Sequence, residues 1–217
     1  MKITLRSTTT FLVASLLLLF FSYLMLEITL QYLPWRTDVA FLQLKQEELK
    51  LFYYESAFFI HVFTSMFALL AGFTQFSKAF RINYPKAHRT IGVIYVSVIL
   101  FFSGPSGLIM GYHANGGFSS QLAFVLLAII WIYSTWKAFD EARSKNFDAH
   151  RAWMIRSYAL TLSAVTLRAW KWSIVQIWHP SPMDVYRLVA WLGWVLNLVV
   201  AELYLRLPEY FIRQHRG

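Results

Sequence analysis

The sequence predicts an all-α polytopic membrane protein, a bundle of six transmembrane helices forming one integral domain over residues 1–217. Three observations carry this reading. The chain is 58% hydrophobic and 14% charged, whereas a soluble domain carries about 25% charged residues. Its apolar residues fall into six stretches, 11–33, 54–76, 90–112, 121–139, 152–177 and 187–207, each long enough for a hydrocarbon core of about 30 Å. Lys and Arg gather in alternate connections between them, as they do when short loops set the orientation of a bundle.

Stretch 11–33 exceeds the apolar region of a cleaved signal peptide. It leaves through Leu30-Gln31-Tyr32-Leu33-Pro34-Trp35, which lacks small residues for cleavage, so it reads as a retained span. The connection that follows places Asp38, Glu47 and Glu48 among Leu42, Leu44 and Leu49, the spacing of a short external amphipathic helix. Gly104-Pro105 lies in the middle of stretch 90–112; it should kink that helix and free backbone carbonyls that need another partner. Gly72, Gly92 and Gly193 permit close helix approach.

One set of connections holds Lys2 and Arg6; Lys78, Arg81, Lys86 and Arg89; Lys137, Arg143, Lys145 and Arg151; and Arg213 and Arg216. The opposite set holds Arg36, Lys45 and Lys50 in its first loop, and no Lys or Arg at 113–120 or 178–186. Both termini are therefore expected in the cytoplasm. The net charge of +9 belongs to these loops, and no nucleic-acid-binding fold accompanies it. The partner implied is the lipid bilayer, together with other membrane proteins. Absence of cysteine excludes disulfides, iron–sulfur clusters and covalently attached haem. No HExxH pair, phosphate-binding glycine loop or GxSxG turn is present, and no residue is assigned a catalytic role.

Stretch 152–177 contains Arg168 and Lys171, and a charge at membrane depth normally faces a partner, a polar ligand or a water-filled cavity. Arg168 lies about 25 Å along a helix from Arg151. Four histidines lie in or beside the apolar stretches. His88 and His150 open the third and fifth at similar depth, in the echoing runs Ala87-His88-Arg89 and Ala149-His150-Arg151. His61 lies about 10 Å inside the second stretch, and His113 about 37 Å along a helix from His88. These form an inner pair, His88 with His150, and a looser outer pair, His61 with His113.

Axial imidazoles on facing helices hold haem b, and cations satisfy its propionates. His61, His88, His113 and His150 are thus candidate cofactor residues, with His61, His88 and His150 as candidate iron ligands. Arg168 and Lys171 would serve an outer haem, and Arg156 an inner one. The same residues admit structural accounts. Glu55 can pair with Arg168 or Lys171, and Glu202 with Arg156. His88 and His150 suit headgroup contacts, His113 a solvated turn. His179 and His215 read as surface residues. The function readings are a haem b electron-transfer protein or respiratory-complex subunit, a cofactor-free accessory subunit, and a small transporter.

Residues 54–171 resemble the bacterial membrane family called domain of unknown function 2306. The likeness rests on His61, on His88-Arg89-Thr90-Ile91-Gly92-Val93-Ile94-Tyr95, on Ser103-Gly104-Pro105-Ser106-Gly107, on the run from His150 to Leu162, and on Arg168. It implies a bacterial inner-membrane protein and carries no settled activity. A looser resemblance is to di-haem transmembrane cytochromes b, which have six helices and histidines at two depths. Their ligands come from four successive helices, whereas stretch 121–139 here has no histidine.

The loop charges yield a direct test. Reporter fusions at Gly116 and Pro180 should behave as external and a fusion at Arg216 as internal; the reverse pattern refutes the orientation.

Overall fold

The computed structural model describes residues 2–214; His215 and Arg216, with the side chains of Lys2, Arg6 and Arg213, lie outside the described residues. The helices are α1 Lys2–Leu30, α2 Phe52–Gln75, α3 Lys78–Asn83, α4 Pro85–Ser97, α5 Gly104–Tyr112, α6 Phe118–Arg143, α7 Phe147–Thr161, α8 Ser163–Trp178 and α9 Pro182–Gln214. No strand occurs among the described residues.

Local chemistry sets several boundaries. Ser77 Oγ accepts from the Phe80 amide to open α3, and Pro85 occupies the first turn of α4, where its missing N–H costs nothing. Asn146 accepts from the Ala149 amide to open α7. The expected disturbance at Gly104-Pro105 takes the form of a π-helical turn, Val98–Ser103, joining α4 to α5 in one rod.

Four helices are long and apolar enough to cross a membrane: Phe52–Gly72, Pro85–Tyr112, Phe118–Arg143 and Pro182–Arg206. The sequence reading of six spans exceeds this count. The described part of the first stretch contributes only a shorter apolar run, Leu19–Leu30. The fifth is divided at Leu162 into α7 and α8 of 15 and 16 residues. The division has a local cause. Thr161 Oγ1 lies 3.1 Å from the Ser157 carbonyl, a back-bonding position that bends helices, while the single Thr166 hydroxyl proton goes to the Gly193 carbonyl of α9 at 2.5 Å. Hydrogen bonding continues through the bend, Leu162 N to Tyr158 O at 2.9 Å and Thr166 N to Leu162 O at 3.0 Å. Asn197 of α9 bridges it, donating to the Ala159 carbonyl at 2.9 Å and Thr166 Oγ1 at 3.0 Å.

Contacts across the bundle define its two ends. At one end Lys45 Nζ donates to the His113 carbonyl and Arg187 Nε to the Gly116 carbonyl. At the other, Gln75 Nε2 donates to the His88 carbonyl and Arg151 to the Tyr204 hydroxyl. The tandem α7–α8 begins at this second, basic end and finishes beside the start of α9 at the first, so it traverses the bundle. It packs on α6 and α9.

The interior is mostly apolar, with small hydroxyl side chains enclosed in it, and large apolar side chains also cover the outside. Phe101, Phe67 and Val200 are exposed on the outside, while Ser103, Thr135, Ser157 and Ser120 are fully enclosed. With no water in a hydrocarbon core, polar groups must be satisfied inside the bundle. Small side chains also bring helices close: a Cβ on Gly193 would lie 2.8 Å from Leu167 Cβ, and one on Gly72 would fall within the Tyr158 ring.

The connection after α1 differs from the expected amphipathic helix. It forms two short 3-10 turns, Ala40–Leu44 and Glu48–Lys50, folded across the end of the bundle. Leu42 is buried against Tyr32 and Phe58, which draws the segment inward. Lys45 follows it, 1% exposed, with Nζ donating to Glu48 at 2.6 Å and the His113 carbonyl at 2.5 Å. Burial raises the Glu48 carboxyl, but the Lys45 ammonium outweighs it and leaves Glu48 below the usual carboxylate range.

A closed chain of hydroxyls ties α4, α6 and α7 together. Tyr95 OH meets Ser157 Oγ at 2.8 Å and Thr161 Oγ1 at 3.0 Å, and Ser157 Oγ meets Thr135 Oγ1 at 2.7 Å. Ser157→Ala should leave Tyr95 with only Thr161 and Thr135 with only the Trp131 carbonyl, and lower stability by about 1–3 kcal/mol, read as unfolding in detergent. Ser144→Ala at the exposed end of α6 should stay within about 0.5 kcal/mol of the parent.

Candidate functional site

The hydroxyl chain also sets the geometry of two histidines. His88 and Tyr95 are seven residues apart on α4, and His150 and Ser157 seven apart on α7, so each pair lies on one helix face. The bond from Tyr95 to Ser157 turns those faces toward each other. Both helices enter from the basic end, so His88 and His150 lie about 10 Å below that bond at matching depth. The echo between the two Ala-His-Arg runs thus corresponds to two helices that enter from the same end with their histidines at matching depth.

The two rings are held differently. His150 Nδ1–H donates to the Ala138 carbonyl of α6 at 2.7 Å, which fixes its tautomer and leaves Nε2 as an acceptor. His88 Nδ1 is buried and has no hydrogen-bond partner among the described residues. An orphaned imidazole nitrogen costs about 1–3 kcal/mol and calls for a ligand, metal or water.

His61 occupies the middle of α2. Pro105 has no N–H, and His61 Nδ1–H donates to the Ser103 carbonyl at 2.8 Å in the turn just before it. Thr64 Oγ1 reaches Ser103 Oγ at 2.7 Å, and Ser106 Oγ donates to the Phe102 carbonyl at 2.6 Å. Gly107 leaves room for the ring, because a Cβ there would lie 2.9 Å from His61 Cε1. The Ser103 and Phe102 carbonyls thus gain side-chain partners from α2 and α5, next to the Phe101 carbonyl that Pro105 deprives of its amide.

Arg168 sends Nη1 to its own helix, donating to the Ala164 carbonyl at 2.7 Å, and its charge reaches His61 and Tyr32. It makes no ion pair with Glu55; among the described residues neither Arg168 nor Lys171 has an acidic partner. Arg156 behaves otherwise. It is paired with Glu202, Nε to Oε1 at 2.5 Å and Nη2 to Oε2 at 3.1 Å, and lies over the Trp153 ring at 4.6 Å. That is the structural pairing the sequence allowed for this arginine.

His113 closes the opposite end of the bundle. Its Nε2 meets Tyr53 OH at 3.0 Å and its ring packs edge-on against Tyr54. These tyrosines lie about 10 Å along α2 from His61, so the outer histidines sit in separate environments. His179, an exposed αL residue, ends α8. No group of three or more His, Cys, Asp or Glu able to hold a metal ion occurs among the described residues. Sequence reasoning passed over Lys45, Thr64, Ser103 and the Tyr95 chain. The legible signal for the last was Ser157 and Thr161 at helical i,i+4 spacing in an apolar stretch.

Residues 58–205 match the predicted membrane protein family DUF2306, and the chain belongs to that family. No curated protein and no solved structure matches it.

The Arg156–Glu202 pair is half-sheltered, with side chains 23% and 33% exposed. Arg156→Gln or Glu202→Gln alone should cost about 1–3 kcal/mol. The double change should recover most of the loss in a stability cycle; additive losses would show that the two residues act separately.

Proposed function

We propose that this member of the family is a haem b electron-transfer protein of the bacterial inner membrane, with His88 and His150 as the axial ligands. The observation that carries this reading is the matching depth of those imidazoles on α4 and α7, helices joined by the Tyr95–Ser157 bond, one ring with a fixed tautomer and the other with an orphaned nitrogen. A metal-ligating histidine commonly donates its second ring N–H to a backbone carbonyl, as His150 does to Ala138. Haem iron would supply the one-electron chemistry, exchanging electrons with a quinone or metal centre or within a respiratory assembly. The chain would supply the two imidazoles, the apolar surroundings and the nearby positive charge that set the potential.

The topology proposed with it has six crossings, with α1 as the first and the α7–α8 tandem as the fifth, and both termini cytoplasmic. The course of α7–α8 from one end of the bundle to the other supports the fifth crossing. The basic loops favour placing the His88–His150 end on the cytoplasmic side.

His61 with Arg168 is the second place where an anionic cofactor would find an imidazole and a free cation. It offers one histidine, since His113 is engaged with Tyr53. The rival reading, a cofactor-free accessory subunit, draws support from the Arg156–Glu202 pair and the closed hydroxyl chain, which hold the bundle without a cofactor.

The experiment is a reduced-minus-oxidised spectrum of protein expressed with ample haem. A b-type α band is expected, lost in His88→Ala/His150→Ala and retained in His61→Ala, with helical content unchanged. Imidazole added to His88→Gly should restore part of it. A missing band, or one that survives the double change, refutes the assignment.

A further inference from the structure

The two connections at the basic end are unequally charged. The loop from α6 to α7 holds Lys137, Arg143, Lys145 and Arg151, but also Asp140, Glu141 and Asp148. Lys137 is committed within it, 3.4 Å from Asp140 and 3.9 Å from Glu141. The corner from α2 through α3 to α4 holds Lys78, Arg81, Lys86 and Arg89, and no Asp or Glu occurs anywhere from 56 to 139. All four side chains are exposed and none forms an ion pair among the described residues.

Apolar side chains share that corner. Ile82 is 63% exposed, Tyr84 62% and Phe76 44%. The corner follows the apolar span Phe52–Gly72 and precedes Pro85–Tyr112, which fixes it at the boundary of the hydrocarbon layer. Ser77 caps α3 and Pro85 opens α4, so the cations project from a folded corner. Exposed apolar groups interleaved with unpaired cations at that depth match an interface of acyl chains and anionic headgroups.

We propose that the α3–α4 corner is a binding site for anionic phospholipid, with Lys78, Arg81, Lys86 and Arg89 on the phosphodiester headgroups and Ile82, Tyr84 and Phe76 in the upper acyl layer. The occupant is a lipid, because a soluble phosphate has no use for the apolar side chains. Charge compensation is the second reason: the four cations lie together without counter-ions from the chain, whereas the neighbouring loop supplies its own. The site is independent of any haem at His88 and His150.

The test uses the full chain in a neutral detergent, titrated with short-chain phosphatidylglycerol or phosphatidylcholine and read as retained lipid by native mass spectrometry and as a melting shift. Phosphatidylglycerol should bind at least tenfold more tightly. The preference should vanish when Lys78, Arg81, Lys86 and Arg89 are all changed to Gln, and fall by about half on a logarithmic scale for Lys78→Gln/Arg81→Gln alone. It should persist in Lys78→Arg/Lys86→Arg, in Arg143→Gln/Lys145→Gln, and in His88→Ala/His150→Ala. Should the fourfold variant not fold, the two-residue variant with its charge-conserving counterpart decides. Equal binding of the two lipids, a preference that survives neutralisation, or full displacement by millimolar inorganic phosphate would overturn the proposal.

Discussion

The bundle depends most on the hydroxyl chain around Tyr95, because that chain fixes how α4, α6 and α7 are rotated about their axes. Most of its protons have a single assignment. Thr135 donates to the Trp131 carbonyl at 2.7 Å, so it must accept from Ser157, which in turn accepts from Tyr95. Trp131 Nε1–H donates to Thr161 at 3.0 Å, and the Thr161 proton has the Ser157 carbonyl or Tyr95 oxygen within reach. The chain starts at the Trp131 indole and ends at the Trp131 carbonyl. Closed in this way, it leaves no open end along which a proton would travel, and its role is structural. In an environment without water, each of these hydroxyls has its cheapest partner in the next.

The same principle orders the rest of the interior. Hydrophobicity provides little attraction between helices in lipid, so association falls to packing and internal polar contacts. Tyr158 OH donates to the Leu69 carbonyl at 2.9 Å above Gly72, and Thr166 Oγ1 to the Gly193 carbonyl at 2.5 Å beside Asn197. Each such contact lies where a glycine lets the partner approach. Tyr158 fastens α7 to α2, and Thr166 fastens α8 to α9. The first hydrophobic cluster then fills the remaining space with Ile99, Leu160, Ala68 and Ala138.

Much of this architecture was legible in the sequence because hydropathy and loop charge are sums over many residues. The apolar stretches at 54–76, 90–112, 121–139 and 187–207 recur as helices α2, α4–α5, α6 and α9, and Gly104-Pro105 does disturb its helix. What the sequence did not disclose depends on which way single side chains point. A hydropathy window averages Thr161 and Thr166 into an apolar run, whereas Thr161 back-bonds to the Ser157 carbonyl and Thr166 donates to Gly193 of α9 where α7 gives way to α8. Leu42, Leu44 and Leu49 have helical spacing, yet Leu42 turns inward and Leu44 is 71% exposed, so the segment folds as two short turns. Lys45 counts as a loop cation in any orientation rule, and it is the most enclosed charge in that cap. Ser157 and Tyr95 are distant in sequence; only the packing of α4 on α6 and α7 makes them neighbours.

The histidines illustrate how that packing divides one residue type among three uses. His113 is held through both its ring, by Tyr53 and Tyr54, and its carbonyl, by Lys45, which makes it a fastening of the cap. His61 spends its Nδ1 proton on the Ser103 carbonyl and so ties α2 to the turn before Pro105. His88 and His150 differ from both. Their backbones are fixed by α4 and α7, their separation by the Tyr95–Ser157 bond two turns away, and one ring nitrogen of His88 has no occupation at all. Ser22 Oγ, Ser120 Oγ and Trp194 Nε1 are likewise buried without a partner among the described residues, so what sets His88 apart is the histidine at matching depth on α7.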